Sequence, residues 1–526
     1  MNIKEIECTR VPLFELVKSW DSKTQTFIQD KDKSNRTEPT FAPGAIDGIY
    51  IKHGGFRDDE KGPTAEEIVD FLLPRYKNHD LATVDEFDTF LNKSLMLVRV
   101  GAVLKALPGL KVQKAPIASL ARLLIKNSRA YSSVKLGISL LGISGEEDDL
   151  PLILEIGRYP EFTYFSANAI GRLSKNKLKD WMVLAESTED WGKVHTIERI
   201  CNYLEKSQNK DRDNSIWLLK NCTGHSIAEY TAYVSACACN LLELLKDEKL
   251  EDDVLDNACS LFLCLITDTP VKSIEDWEHG PETLPLLLET LLKRELTSYR
   301  LFSVTRILYW LEDRKSESYK APEKNYWCQE NIESLRILCN CYLEEPKAKS
   351  IVSRDFTESI ITEDSTSGFY AWNASMRLDL DLWDEAYKAL SANPCRPRWY
   401  GFALDTEVPE RIEKVFAYAE QHLPLHEAEE QGTESSLLDS DLLQCLDNLI
   451  SPMAFSELYN DRLVRACIKS KRRRLVNMAV RTLKSNVENA SSETQIALKA
   501  ISPDFLRAES RKELEDLIAK FDSIST

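Results

Sequence analysis

The densest run of side chains able to bind a ligand lies between Asp461 and Lys484. Nine lysines and arginines stand there against one acid, a local charge of +8 in a chain whose net charge is −18. Cations at helical spacing can bind phosphates or acidic peptides. Two interpretations stay open, an anionic partner or neutralisation by the chain's own acidic segment at residues 427–441. Arg462, Arg465, Lys469 and Arg472 or Arg473 lie near one helical stripe. The predicted binding residues are Arg462, Arg465, Lys469, Lys471, Arg472, Arg473 and Arg474.

Two histidines, His422 and His426, are four residues apart beside several glutamates, which on one helix would present both imidazoles to a metal ion. Pro424 lies between them, and a proline in that place usually ends a helix. Asp276 and His279 form a second candidate pair of ligands. The sequence favours structural or surface histidines over a metal site, and no metal is predicted.

Glycine-rich and nucleophile motifs are missing from the sequence. No two glycines stand two residues apart, so there is no dinucleotide-binding G-x-G-x-x-G. There is also no G-x-x-x-x-G-K before Ser or Thr, no G-x-S-x-G and no C-x-x-C. The sequence identifies no catalytic residue, and it favours a chain that is not an enzyme.

Two short segments combine residue types that also occur in binding sites. RPRWYGF, at 396–402, mixes arginines with aromatic rings that could stack on bases, but we interpret it as a folded turn between two helices. KHGGF, at 52–56, contains two adjacent glycines and is interpreted as a turn, with an anion-binding nest of backbone amides as the alternative.

The bulk composition limits the classes of partner and compartment. A net charge of −18 and a pI near 5.1 would repel nucleic acid and anionic membranes unless basic residues share one face. The first twenty residues lack the apolar block of a secretory signal, and no apolar run reaches the length of a membrane span. Thirteen cysteines without a regular framework fit a reducing compartment. A soluble cytoplasmic protein is expected.

The elements that would position these residues are mostly helices. Residues 1–62 predict an irregular capping segment with one short strand, GIYIKH, and residues 63–345 predict a helical-repeat array. Capping boxes are predicted at Thr64 and at Thr83, each with a glutamate three residues later. Residues 346–438 predict a linker and helices, and residues 439–526 predict helical pairs that carry the basic stripe.

The clearest repeat unit is DLPLILEIGRYPEFTYFSANAIGRL, two apolar helices joined by a turn at Pro160. Phe162, Phe165, Ala169 and Leu173 share one face of its second helix. Two such helices cannot bury both faces alone, so units of this kind stack. The segment resembles a HEAT repeat, and the fold expected is an all-α, HEAT/armadillo-like α-solenoid with a short irregular N-terminal segment.

Three functions follow from these observations. The leading one is a non-catalytic scaffold that binds a protein or peptide partner on its concave face. The segment IDGIYIKHGGF resembles bacterial proteins labelled limonene hydroxylases, which implies an NAD(P)H-dependent terpene monooxygenase with a flavin, haem or iron cofactor, or an accessory component of one. Its cofactor ligands would be sought among His53, His279, His422 and His426. The third function is nucleic-acid or other polyanion binding through residues 462–484.

Overall fold

The computed structural model describes most of the chain as helix. Its described residues form 29 α-helices, four short 3-10 helices and one pair of two-residue strands, so the predicted all-α class is confirmed. No helix among the described residues is long and apolar enough to cross a bilayer. The described residues are 11–21, 26–27, 41–54, 62–92, 94–110, 112–207, 211–267, 271–314, 326–430, 440–470, 472–502, 506 and 508–524.

The N-terminal segment contains helices as well as short strands among its described residues. It contains α1 (Leu13–Lys18), the antiparallel strands β1 (Trp20–Asp21) and β2 (Thr26–Phe27), and α2 (Ala45–His53). The predicted strand GIYIKH was wrong, because those residues belong to α2. The alternation of Ile49 and Ile51 resembled a strand, whereas a helix brings Ala45, Gly48 and Ile49 onto one face.

A first set of helices follows in short succession, separated by turns. Their order reproduces the predicted array of helix pairs. The helices are α3 (Ala65–Leu72), α4 (Leu81–Leu91), α5 (Met96–Ala106), α6 (Lys114–Asn127), α7 (Tyr131–Ser144), α8 (Leu150–Gly157), α9 (Pro160–Leu173), α10 (Lys177–Glu186), α11 (Asp190–Ser207), α12 (Arg212–Asn221), α13 (Glu229–Ala238), α14 (Leu241–Leu245), α15 (Asp252–Leu265), α16 (Gly280–Leu291), α17 (Ser298–Asp313) and α18 (Gln329–Leu343). The 3-10 helices within this stretch are Leu107–Leu110, Glu147–Asp149 and Ile274–Asp276.

These helices pack in two rows, as expected of stacked helix pairs. The first-helix row contains α6, α8, α10 and α12, and the second-helix row contains α5, α7, α9, α11, α13 and α15. Each member of the second-helix row packs against the next, and α6, α8, α10 and α12 pack against the second helix that follows them. Phe162, Phe165 and Ala169 are buried in α9 as predicted, and this packing between neighbours is that of a solenoid.

The helix starts test the predicted capping boxes. Thr64 caps α3 in a complete box with Glu67, as predicted. The box at Thr83 was wrong, because Asp80 caps α4 by accepting a hydrogen bond from the Thr83 amide at 2.8 Å. An aspartate three residues earlier therefore starts the helix one turn sooner.

A second set of helices completes the chain. The stretch at 344–369, rich in Ser and Thr and part of the predicted linker region, is helical through most of its length. The helices are α19 (Ala348–Thr362), α20 (Ser365–Arg377), α21 (Trp383–Ala392), α22 (Pro397–Leu404), α23 (Pro409–His422), α24 (Leu425–Glu430), α25 (Ser440–Ala454), α26 (Asp461–Lys469), α27 (Arg473–Ser485), α28 (Ser492–Lys499) and α29 (Ala508–Ile524), with a 3-10 turn at Val487–Asn489.

The described residues separate into two compact units. The first comprises those up to Arg294 together with those of Arg306–Tyr342. The second comprises Glu295–Thr305 and those from Leu343 onward. In the second unit α22 packs on α25, α25 on α27 and α27 on α29, while α26 packs on α24 and α28, again a stack of neighbours. The predicted four-part division of the chain stays a prediction.

Candidate functional site

Three buried charged side chains of the first unit meet at Lys135 on α7. Its Nζ lies 2.7 Å from Asp47 Oδ2 of α2 and 2.5 Å from Glu161 Oε1 of α9. The side chains of Lys135 and Asp47 are 7% and 3% exposed, and that of Glu161 is 15% exposed. Three ionisable groups are thus withdrawn from water. Burial of a charged group costs considerable free energy unless a partner of opposite charge lies beside it.

Glu161 also holds the start of α2. Its Oε2 accepts a hydrogen bond from the Gly44 amide at 2.7 Å, and Gly44 is the residue immediately before the helix. A carboxylate in this place pairs an orphan amide and interacts favourably with the positive end of the helix dipole. One carboxylate of α9 therefore binds both a lysine of α7 and the N-terminus of α2.

Two glycines let α2 approach α9 and α11 closely. Gly44 has φ +76°, and a β-carbon there would lie 2.6 Å from the Pro160 carbonyl oxygen. A β-carbon on Gly48 would overlap the indole ring of Trp191. Ala45 packs into the same cluster with Trp191 and Val194. The fit of α2 therefore depends on two positions that have no side chain.

The C-terminal end of α2 is held by two further contacts. Lys52 forms an ion pair with Glu198 of α11, and both side chains are about one-fifth exposed. His53 Nε2 lies 2.8 Å from the Tyr230 hydroxyl of α13, and the two rings meet edge to face. Helix α2 thus spans α7, α9, α11 and α13, four successive members of the second-helix row.

His195 of α11 is buried in the same region. It lies beside the rings of Tyr164 and Trp191, with centroid distances of 5.3 Å and 6.3 Å. Burial, aided by the nearby charges of Lys52 and other cations, lowers the pKa of His195 to about 3. The imidazole is therefore neutral at physiological pH, and its Nε2 has no hydrogen-bond partner among the described residues.

The electrostatics of the cluster favour binding over covalent chemistry. Burial alone would lower the pKa of Lys135, but Asp47 and Glu161 outweigh it and leave the pKa raised above its ordinary value. A protonated amine has no lone pair with which to attack a carbonyl. Burial raises the pKa of Asp47 although Lys135 opposes the shift, and Asp47 Oδ1 accepts no hydrogen bond within the described structure. Lys135 therefore carries a positive charge beside the two carboxyl groups at physiological pH.

We refer to the surface beneath α2 as the α2-binding face. It is formed by side chains from four helices of the second-helix row: Lys135, Glu161, Trp191, Glu198 and Tyr230. Sequence reasoning missed this face. One signal was present, because Lys135 is the only charged residue in the fourteen residues of α7. Its partners, far away in sequence, gave no comparable signal.

The predicted basic stripe is divided between two helices. Arg462, Arg465 and Lys469 belong to α26, the helix ends at Ser470, and Arg472 precedes the first residue of α27. The expected single helical stripe was therefore wrong, because the chain turns between the two groups. Lys471 lies outside the described residues. Arg472, Arg473 and Arg474 are exposed.

Several of these basic side chains already have acidic partners in the chain. Arg462 donates to the backbone oxygen of Glu420 at 3.1 Å. Glu429, one of the partners, belongs to the acidic segment that the sequence suggested for neutralisation. The ion pairs are Arg465–Glu493 (2.7 Å), Arg465–Asp461 (3.2 Å), Arg465–Glu429 (3.7 Å), Lys469–Glu429 (3.3 Å) and Arg474–Asp447 (2.6 Å).

The candidate metal ligands are engaged elsewhere. His422 ends α23 and His426 lies in α24, so the two imidazoles are on separate helices. The His422 ring stacks on Tyr418 at 4.1 Å, and its Nδ1 lies 2.9 Å from the Tyr418 carbonyl oxygen. Asp276 caps its own 3-10 turn. Within the described ranges, no group of three or more His, Cys, Asp and Glu side chains could hold an ion.

RPRWYGF forms a helix rather than the predicted turn. Pro397 is the first residue of α22, where its fixed φ suits a helix start. Trp399, Tyr400 and Phe402 are buried, and Phe402 stacks on Trp372 at 5.2 Å. These rings fill the core of the second unit and are not exposed for stacking on bases.

An open pocket of about 150 Å³ lies between α12 and α14. Arg212 on its rim is already paired with Asp247 and Glu251 at 3.3 Å and 3.2 Å. This pocket is smaller than the roughly 300 Å³ or more of usual ligand sites. Its lining residues are Arg212, Ser215, Asn240, Glu243, Leu244 and Asp247.

The sequence and the structure were compared with those of known proteins. No protein-family model, no curated protein sequence and no solved structure matches the chain.

Proposed function

We propose that the chain is a non-catalytic, HEAT-like helical-repeat scaffold that binds a protein or peptide partner on its second-helix row. The observation that carries the proposal is the docking of α2 on that row. Four successive helices there supply side chains that hold a short helix by charge, by hydrogen bonds and by close backbone approach. Repeat proteins use such extended surfaces to bind partners.

The type of contact supports a binding surface rather than an ordinary core. Of the nine residues of α2, only Ala45, Asp47 and Gly48 are buried. Its attachment combines ion pairs and hydrogen bonds with a small apolar cluster of Ala45, Ile49, Trp191 and Val194. An apolar centre with polar contacts around it is typical of binding interfaces. The stacking of neighbouring helix pairs supports the HEAT-like assignment, which the sequence of α8 and α9 suggested.

Selection from a random peptide-display library on the purified full-length chain tests the proposal. We expect helical binders whose affinity falls when Glu198→Lys or Tyr230→Ala alters the second-helix row. The matched control is Lys179→Glu, an exposed position on α10 of the first-helix row, and it should leave binding unchanged. Binders that respond to the control but not to the two row variants would overturn the proposal.

The alternative of a terpene monooxygenase rests on the resemblance of IDGIYIKHGGF. Most of that segment is α2, whose Asp47, Lys52 and His53 are occupied by contacts with the solenoid. A visible absorption spectrum between roughly 300 and 700 nm separates the two functions, because flavin, haem and many iron cofactors are coloured. Stoichiometric bands in the purified protein would favour the oxygenase and contradict the scaffold.

Polyanion binding through residues 462–484 is the second alternative. Arg465, Lys469 and Arg474 already pair with carboxylates of the chain. A phosphate backbone would have to displace those acids, in a chain that is strongly negative overall. For this reason we place the partner on the second-helix row.

A further inference from the structure

We propose that α2 is a displaceable internal ligand, and that the partner presents a short helix with the pattern Gly-x-x-Asp-Gly-x-x-x-Lys. This inference rests on the proposed function and gives the partner its chemistry. The pattern copies Gly44, Asp47, Gly48 and Lys52, four of the residues through which α2 contacts the α2-binding face.

Each position of the pattern has a physical counterpart on the face. The aspartate pairs with Lys135, and the lysine five residues later pairs with Glu198. The amide of the first glycine donates a hydrogen bond to Glu161. The second glycine allows the helix backbone to approach the ring of Trp191 closely. The charges on the partner and on the face are complementary, which favours specificity.

The docking of α2 has features that suit an exchangeable segment. A nine-residue helix is marginal in water by itself, so α2 folds by binding to the solenoid. It buries one apolar side chain, Ala45, and leaves Ile51 38% exposed. A segment held mainly by charges can leave when a competing segment supplies the same charges.

One polar atom of α2 is buried at this interface without a hydrogen-bond partner among the described residues, Asp47 Oδ1. Such an atom has lost its water without gaining a partner, so it lowers the stability of the docked helix and favours exchange.

The test uses a fluorescein-labelled peptide with the sequence of residues 44–54, GAIDGIYIKHG, and the full-length chain. Lys52→Glu places two carboxylates together against Glu198 and should release α2, leaving the face free. Fluorescence anisotropy should show saturable binding to this variant, with at least roughly tenfold weaker apparent affinity for the wild type, in which α2 competes. A peptide that carries the substitution Asp47→Asn should bind the Lys52→Glu variant about tenfold more weakly than the unchanged peptide does.

A charge-swapped chain provides the matched control. Lys52→Glu combined with Glu198→Lys restores an opposite pair, so α2 should return to the face. The labelled peptide, whose lysine would now meet a lysine, should bind this double variant no better than the wild type. Stronger binding to the double variant would contradict the proposed register.

Hydrogen exchange of α2 establishes whether Lys52→Glu has released it. If α2 stays protected there, Gly48→Leu is used instead, because a side chain at that position overlaps Trp191. The inference is overturned if the released, folded chain fails to bind the peptide, or if wild type and variant bind it equally. Library peptides of other sequences that still require Glu198 and Tyr230 would, in that event, preserve the proposed function.

Discussion

At the scale of single residues, the decisive feature is the charge balance around Lys135. One ammonium group lies between two carboxylates in a place almost without water. Buried ion pairs of this kind add little net stability, because the lost hydration offsets the attraction between the charges. We expect the triad to determine where α2 binds more than it stabilises the solenoid.

Removal of the central lysine should be costly. Lys135→Met leaves Asp47 and Glu161 buried without a counter-charge, and we expect a loss of about 3–5 kcal/mol from the free energy that holds α2 in place. Amide exchange in α2 should accelerate accordingly. The combined variant Asp47→Asn, Lys135→Met, Glu161→Gln should regain most of the loss. If the α2 amides of the Lys135→Met variant exchange as slowly as those of the wild type, the proposed role of the triad in holding α2 is contradicted.

The buried His195 should make the first unit sensitive to acid. Its pKa is about 3 when folded and near 6.5 when free, so protons bind preferentially to the unfolded chain. Stability is full above pH 6.5 and is lost progressively as the pH falls toward 3. At pH 5 the loss from His195 should reach about 2 kcal/mol.

Urea unfolding followed by tryptophan fluorescence at pH 7 and pH 5 measures this effect. His195→Phe keeps an aromatic ring beside Tyr164 and Trp191 but cannot titrate, so its stability should fall less between the two pH values. The pKa of His225 is lowered to about 4, again mainly by burial, and its contribution should remain in the variant. Equal pH dependence in the two chains would show that His195 titrates normally.

At the scale of elements, the structure depends on how α2 meets the second-helix row. Its docking requires two positions without a side chain, Gly44 and Gly48, rather than a broad apolar stripe. Helix propensity and docking therefore oppose each other at Gly48. An alanine would favour the helix by about 1 kcal/mol but would prevent its close approach to Trp191.

A pair of glycine substitutions separates these two effects. Gly48→Ala should destabilise the first unit, because the added methyl group overlaps the Trp191 ring. Gly101→Ala, in α5 with open space around it, should stabilise by about 1 kcal/mol. Thermal unfolding monitored by circular dichroism measures both. A rise in midpoint for both variants would mean that α2 does not lie against Trp191.

The sequence predicted elements better than it predicted their partners. The α-class, the buried face of α9 and the cap at Thr64 all followed from local periodicity and local hydrogen bonding. The strand predicted at GIYIKH failed because its helix depends on distant residues. The turn predicted at 396–402 failed because Pro397 starts a helix instead of ending one.

The candidate site could be predicted only in part. A lone charge in an apolar helix marks Lys135 as unusual, but its partners lie 88 and 26 residues away in the sequence. The periodicity of a single helix or strand relates only residues a few positions apart, so it could not identify these partners. The basic segment was visible because its residues are contiguous, whereas its acidic partners were found only through the fold.

At the scale of the whole molecule, charge is distributed so that the basic segment is largely balanced from within. The chain carries −18, and acids of neighbouring helices pair with Arg465, Lys469 and Arg474. Exposed pairs contribute little stability, but they lower the potential that a polyanion would meet.

Affinity for polyanions should therefore be low. We expect no saturable binding of duplex DNA or heparin near physiological salt, about 0.15 M, where charges are screened beyond about 8 Å. Electrophoretic mobility and heparin elution measure this. Submicromolar affinity that falls steeply with salt and is lost when Arg472, Arg473 and Arg474 become alanine would instead establish the polyanion function.

Hydrogen exchange of α2, with and without an excess of the unlabelled 44–54 peptide, tests the central claim most directly. In the wild type alone, the amides of Ala45–His53 should be protected. A saturating peptide should remove that protection while the second-helix row keeps its own, because the peptide takes the place of α2. Exchange of α2 at the rate of an unfolded chain from the start, or full protection at saturating peptide, would contradict the account.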